Sequence, residues 1–299
     1  MSSPRPRIVA ALLAATAFLF LSAAASSRDA AAPGSPDAME LLTKMTPAWE
    51  KVYDCTYTLD KKELMVDGST VEEQLLFKFR RQPLEVYSRL VKPERSQETL
   101  FREGWNDGKM RAHPGKFPDV TVNIDPQGSL AMKNQHHSVK NAGFGTFLRL
   151  VSHAIEKGKQ HTDAGAAVTY QGEGTYDGRA THKVELVPPK VPLASYTVKD
   201  GEDFWGIGDA KGLSMYLLLY WNRDYNDPDD ADAGDVIKLP EYYAGKVVVD
   251  IDKETNLPIF QQIYGHDDKL YEQYGFLNLK LNVGLKETDF DPENKEYNF

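Results

Sequence analysis

Leu277-Asn278-Leu279-Lys280-Leu281-Asn282-Val283 sets an aliphatic side chain at every second position with a polar one between. Successive strand residues point to opposite faces, so this period of two describes a strand with one buried and one wetted face, the habit of antiparallel sheets. Working outward, strand-like segments recur at 52–65, 71–81, 84–91, 97–104, 109–113, 167–175, 180–187, 246–251, 258–264 and 269–276. Asp67-Gly68, Asn106-Asp107-Gly108 and Asp177-Gly178 join several of them in pairs, as hairpins need residues tolerant of positive φ. Helical spacing occurs twice. Met39, Leu42, Met45 and Trp49 follow Pro36-Asp37, and Phe144, Phe147, Leu148, Val151 and Ile155 share one face. Many hairpins with few helices predict an α+β fold, a curved antiparallel β-sheet with packed helices. Its concave face, if a helix covers it incompletely, would leave an apolar cavity of the kind that holds small ligands.

The first residues read differently. Arg5 and Arg7 precede an apolar run from Ile8 to Leu21, and small residues follow from Ser22 to Ser27. The pattern predicts a cleaved signal peptide over 1–25 and a periplasmic or secreted protein. The run is shorter than the ~20 residues of a transmembrane anchor. Residues 26–38, rich in Ser, Ala, Pro, Gly and Asp, read as a disordered spacer. A formal charge of −9 with no basic stripe argues against nucleic acid as a partner. Cys55 is the only cysteine, so an intramolecular disulfide is impossible; its place in an alternating strand predicts a buried structural thiol.

Residues 196–240 break the meander. Tyr196-Thr197-Val198-Lys199 reads as a strand and Asp200-Gly201 as a turn. Glu202 and Asp203 set carboxylates at the start of a helix, where exposed amides favour negative charge. Gly212 ends that helix, Ser214 caps a second one reaching about Trp221, and Val236 to Pro240 is a closing strand. The order is strand, helix, helix, strand.

Tyr196-Thr197-Val198-Lys199-x-Gly201-Glu202-x-Phe204-Trp205-x-Ile207, Gly212-Leu213-Ser214, Leu218-Leu219-x-x-Asn222 and Gly234-Asp235-Val236-Ile237-Lys238-Leu239-Pro240 resemble a LysM domain. The resemblance implies that peptidoglycan or a chitooligosaccharide-like glycan lies between two loops: Gly201, Glu202, Asp203 and Phe204, facing Asn226, Asp227, Pro228, Asp229, Asp230 and Ala231. Three positions depart from the pattern. Asp203 stands for the usual Thr, Gly208 for Ala, and acids replace the apolar pair of the second loop. The flanking parts, 39–195 and 241–299, form a β-rich host domain. Tyr53-Asp54-Cys55-Thr56, Arg80-x-x-Pro83-x-x-Val86-Tyr87, Glu103-Gly104-x-Asn106-x-Gly108-Lys109, Leu279-x-Leu281-Asn282-Val283-Gly284-Leu285 and Asp289-Phe290-Asp291-Pro292 resemble the secreted bacterial family called domain of unknown function 1571. That family is similar in architecture to the LolA/LppX carriers, whose half-barrel sheet holds acyl chains. A lipid or lipoprotein ligand for the host follows as an implication of the resemblance.

No catalytic constellation assembles. Gly-x-Ser-x-Gly is absent, and Gly206 to Gly212 has the wrong spacing for a dinucleotide loop. His136 and His137 would point to opposite faces of a strand and read as an exposed polar turn without a metal. The expectation is a non-catalytic cell-envelope protein needing no cofactor. The alternative is an envelope interaction module whose LysM fold has lost glycan binding.

Overall fold

The computed structural model describes residues 34–117 and 119–299. The signal peptide expected at 1–25 and most of the spacer expected at 26–38 lie outside the described residues. Among the described residues, no helix is long and apolar enough to cross a membrane.

The chain opens with α1 (Ala38–Glu50), whose first turn is capped by Asp37 accepting from the Glu40 amide at 3.0 Å. A meander follows: β1 (Asp54–Leu64), β2 (Thr70–Arg80), β3 (Glu85–Lys92), β4 (Glu98–Arg102), β5 (Met110–His113) and β6 (Val122–Ile124). After the short α2 (Ser129–Met132) and the longer α3 (Gly145–His161) come the hairpin strands β7 (Ala167–Tyr176) and β8 (Arg179–Val187). The interruption comprises β9 (Ala194–Thr197), α4 (Phe204–Lys211), α5 (Met215–Trp221) and β10 (Val236–Leu239). The chain ends with β11 (Lys246–Asp252), β12 (Pro258–Tyr264), β13 (Leu270–Leu281) and a 3-10 turn at Glu287–Phe290.

Eleven strands form one sheet in the order β6-β5-β4-β3-β2-β1-β13-β12-β11-β8-β7, every pairing antiparallel. Most neighbours are consecutive hairpins. Two junctions are not: β1 meets β13, closing the first meander onto the last, and β8 meets β11 across the interruption. Val247 stands opposite Leu186, so residues 188–245 leave and return at one hairpin end. Insertion there leaves the host's ladder intact.

The expected α+β architecture is present, with three local differences. The helix expected from Phe144 to Ile155 starts at Gly145 and runs to His161, because Lys157, Lys159 and Gln160 prolong it at the surface without an apolar signal. The strands expected at 269–276 and 277–283 are one strand, bent at Asn278, where φ is 53° and the register with β1 shifts between Thr56 and Thr58. Strand β6 and helix α2 were not anticipated; three and four residues carry too little periodicity.

Both long helices pack on the concave face. Trp49 of α1 meets Phe144 edge-on at 5.2 Å and Phe79 at 5.4 Å, and Phe144 stacks on Phe276 at 4.1 Å. Cys55 is fully buried beneath them, and burial pushes its thiol up to about 12, with Asp54 adding to the rise and Arg81 opposing it. On the convex face the C-terminal segment crosses β2 to β4: Phe290 is buried, Tyr297 stacks on Tyr87 at 4.0 Å, and Asn298 donates to buried Glu98 at 2.7 Å. Asp289 accepts from Lys78 at 2.9 Å, which gives the Asp289-Phe290 motif its structural role.

Gly143 joins helix and sheet under constraint. Its φ is +80°, its amide donates to the Tyr57 hydroxyl at 3.1 Å, and a Cβ there would lie 2.9 Å from the Trp49 ring. Gly143→Ala is expected to destabilise the fold by about 1–3 kcal/mol, combining left-handed strain with overpacking. Thermal denaturation of the pure variant checks this; an unchanged melting temperature would contradict it.

Candidate functional sites

In the insert, β9 pairs with β10, Tyr196 opposite Ile237. Asp203 caps α4 by accepting from Gly206 at 2.7 Å, Gly212 ends it at φ 67°, and Ser214 caps α5 by accepting from Leu217 at 3.1 Å. Asn222 ties α5 to β10, donating to the Lys238 carbonyl at 2.9 Å and accepting from its amide at 2.7 Å. Phe204, Ile207, Leu218 and Ile237 fill a small core.

The two loops expected to grip a glycan do come together, the Phe204 amide donating to the Pro228 carbonyl at 3.1 Å. Apart from the capping Asp203, their residues divide into three groups. Phe204, Pro228 and Ala231 are buried and support the loops from below. The carboxylates of Glu202, Asp227 and Asp230 accept from nearby backbone amides, and Glu202 also accepts from the Tyr196 hydroxyl at 2.8 Å. Gly201, Asn226 and Asp229 are exposed. Desolvation and the neighbouring carboxylates of Asp227, Asp203, Asp230 and Asp125 raise the Asp229 carboxyl above its ordinary range.

Helix α5 docks the insert through other residues. The Tyr216 ring stacks on His136 at 4.2 Å and its hydroxyl accepts from the Val66 amide at 2.8 Å. Tyr220 meets Tyr271 at 5.5 Å and Trp221 meets His266 at 5.9 Å.

The second site is a cavity of about 130 Å³ between the concave sheet and residues 126–150. At the roughly 30 Å³ that a water occupies in the liquid, that is space for about four. One wall is apolar, with Leu59, Leu75, Phe77, Met110, Phe276 and Leu150. A separate, smaller space of about 20 Å³ lies beneath α3, with Phe147, Leu150 and Ile263 in the walls of both.

The opposite wall is charged. Lys61, Glu63 and Glu272 are buried on it, with His137 partly exposed. Glu63 stands directly opposite Glu272 across β1 and β13, and Lys61 opposite Tyr274. Basic side chains pair with the acids. Lys61 Nζ lies 2.9 Å from Glu73 and 3.3 Å from Glu63, ion pairs whose angles fall short of directed hydrogen bonds. His136 and His137 both reach Glu272 Oε1, at 2.6 and 3.2 Å, and Tyr243 donates to the same oxygen. Tyr274 donates to Glu63 at 2.5 Å. The second nitrogen of His136 faces the Leu64 carbonyl at 3.0 Å. Tyr216 of the insert and Tyr271 of the sheet flank that ring, at 4.2 and 4.5 Å.

His136-His137 is therefore not an exposed polar turn. The pair sits in a bend rather than a strand, so adjacent side chains turn to the same carboxylate. The signal for this site lay in the phase of the strands. Lys61 and Glu63 share the face of Tyr57 and Cys55, and Glu272 that of Tyr274 and Phe276. A charge on the apolar phase of a strand marks a buried charge in need of partners.

Burial opposes ionisation of Glu272, but the charge of His137 and hydrogen bonds from both histidines hold its carboxyl well below the usual range. Glu63 is lowered likewise, burial being outweighed by Lys61 and His136. His137 is raised: desolvation is overcome by Glu272. The carboxylates thus contribute stability above their unfolded value of 4.5, lost as pH falls through the depressed values. His137 contributes below 6.5, and that part is lost as pH rises through its raised value. Denaturant titrations should show stability falling on both sides of this window, with the alkaline decline absent in His137→Gln; an alkaline limb unchanged in the variant would refute the assignment.

The family described as Protein of unknown function (DUF1571) matches residues 52–197 and 236–299, and the LysM domain matches 196–240. No curated protein matches the chain. Among solved structures, the chain is similar to LprF from Mycobacterium bovis, 13% identical, covering 84% of this chain and 96% of that one at a TM-score of 0.41. It is similar to the Mycobacterium tuberculosis lipoprotein LppX, 10% identical over 84% and 99% of the chains with a TM-score of 0.39. MucB is 12% identical over 86% of this chain at a TM-score of 0.40, and this chain spans 63% of its length.

Proposed function

Given that the chain belongs to the DUF1571 family and carries a LysM domain within that family's domain, we propose that it is a non-catalytic protein of the bacterial envelope. The LysM domain binds the N-acetylglucosamine glycan of peptidoglycan, and the host carries a lipid or lipidated ligand in its cavity. The observation that carries the first half is the joining of the two loops through Phe204 and Pro228 with Gly201, Asn226 and Asp229 exposed. Docking through Tyr216, Tyr220 and Trp221 uses none of these residues. Support for the second half is the apolar wall of the cavity. Export follows from the signal-like residues at 1–25. The acidic second loop favours one other reading, an interaction module whose LysM fold no longer takes glycan.

Purified sacculi should retain the protein, and excess chitopentaose should release it. Failure of retention would favour the interaction module. An apolar dye such as 1-N-phenylnaphthylamine should brighten on binding the cavity. Leu150→Trp, which fills the shared wall, should weaken it by about tenfold, near 1.4 kcal/mol; dye binding indifferent to that substitution would place the dye elsewhere and remove support for a carrier.

A further inference from the structure

Four contacts hold the His136 ring. Its Nδ1 meets Glu272 Oε1 at 2.6 Å and its Nε2 the Leu64 carbonyl at 3.0 Å. Tyr271 of β13 lies against it at 4.5 Å, and Tyr216 of α5 stacks on it at 4.2 Å, 27° from parallel. The host supplies three of these contacts and the insert one. With all four in place, the side chains of His136 and Glu272 are fully buried. Such a contact is strongest where water is kept from it, since solvent screens the attraction and competes for the hydrogen bond.

Tyr216 does not rely on His136 for its own place. Its hydroxyl accepts from the Val66 amide at 2.8 Å and donates to Met65 Sδ at 3.3 Å, both in the turn between β1 and β2. Arg223 donates to the Val66 carbonyl while lying over the Tyr220 ring at 4.4 Å, and Tyr220 meets Tyr271 at 5.5 Å. The ring of Tyr216 is thus presented to His136 by anchors outside the charged wall.

On the other side of His136 is the cavity, whose lining includes its neighbours Gln135, His137 and Ser138. Gln135 and Ser138 bond within their own segment, to the carbonyls of Ala131 and Pro126. The two histidines therefore make the polar contacts from this bend to the sheet, at Glu272, Leu64 and Glu63. The insert leaves and returns at one hairpin end, so the host ladder closes without it. What its docking changes is local to the bend.

We propose that Tyr216 is a positioning residue for the host cavity: by covering His136 it keeps the 135–138 bend against the sheet and so sets the wall that a ligand meets. The insert is then part of the cavity's construction. Its bearing on ligand affinity rests on the carrier reading; its hold on the bend does not.

The test uses the whole protein, insert and host together, with Tyr216→Ala and Tyr216→Phe. Hydrogen exchange at residues 135–138, followed by mass spectrometry, reads the bend directly. Tyr216→Ala should speed it by about fivefold, the scale of one lost aromatic contact, with β3 and β4 exchanging as in the wild type. Tyr216→Phe keeps a ring on His136 and should stay within about twofold of the wild type. In the same samples, 1-N-phenylnaphthylamine should bind Tyr216→Ala about fivefold more weakly than either of the other two. Unchanged exchange at 135–138 in Tyr216→Ala would overturn the inference, as would faster exchange throughout the host, the mark of general destabilisation. Faster exchange at the bend with unchanged dye affinity would uphold the hold on the bend and overturn its bearing on the ligand. A wild type that binds no dye would remove the carrier reading, and the exchange rates would still decide the role of Tyr216.

Discussion

Glu63 and Glu272 face each other on adjacent strands inside the molecule. Two like charges opposite one another destabilise a sheet, and burial magnifies the repulsion. The structure places partners at both: Lys61 from the same strand, and His136 and His137 from a bend that crosses the concave face. Much else depends on that arrangement. The acids hold the 133–138 bend against the sheet, the bend supplies part of the cavity wall, and the His136 ring offers the flat surface on which Tyr216 of the insert rests. Removing one partner from such a cluster leaves a buried charge exposed to its neighbours, so the cluster acts as a unit.

The insert and its host are thus connected at two levels. The backbone leaves β8 and returns to β11 at one hairpin end, so the host sheet closes independently of what lies between. Side chains of α5 then fasten the insert beside the charged wall, while the loops around Phe204 and Pro228 remain separate from that contact. The joined loops of the LysM domain and the lining of the host cavity therefore share no residues.

Stability elsewhere is more ordinary. Trp49, Phe144 and Phe276 join helices to sheet through aromatic contacts. The convex side is covered by the C-terminal segment, whose Tyr297 and Phe290 close over Tyr87 and Leu100. Buried Glu85 between Arg80 and Arg102 repeats on that side the pairing rule of the cavity wall.

Periodicity alone determined the antiparallel sheet, both long helices and the strand-helix-helix-strand insert, because these rest on local alternation, caps and turn residues. Asp203, Gly212 and Ser214 did at their helix ends what their chemistry required. The charged wall was not read, since Lys61, Glu63 and Glu272 look like surface residues until their phase on the strands is followed. Even that phase does not reveal their partners. The pairing of β1 with β13 brings together residues separated by most of the chain, and a bend rather than a strand at His136 turns two neighbouring rings to one carboxylate. Local rules set which elements form; only the tertiary structure decided which charges share an interior, because burial and distance are properties of the folded sheet and not of any segment within it.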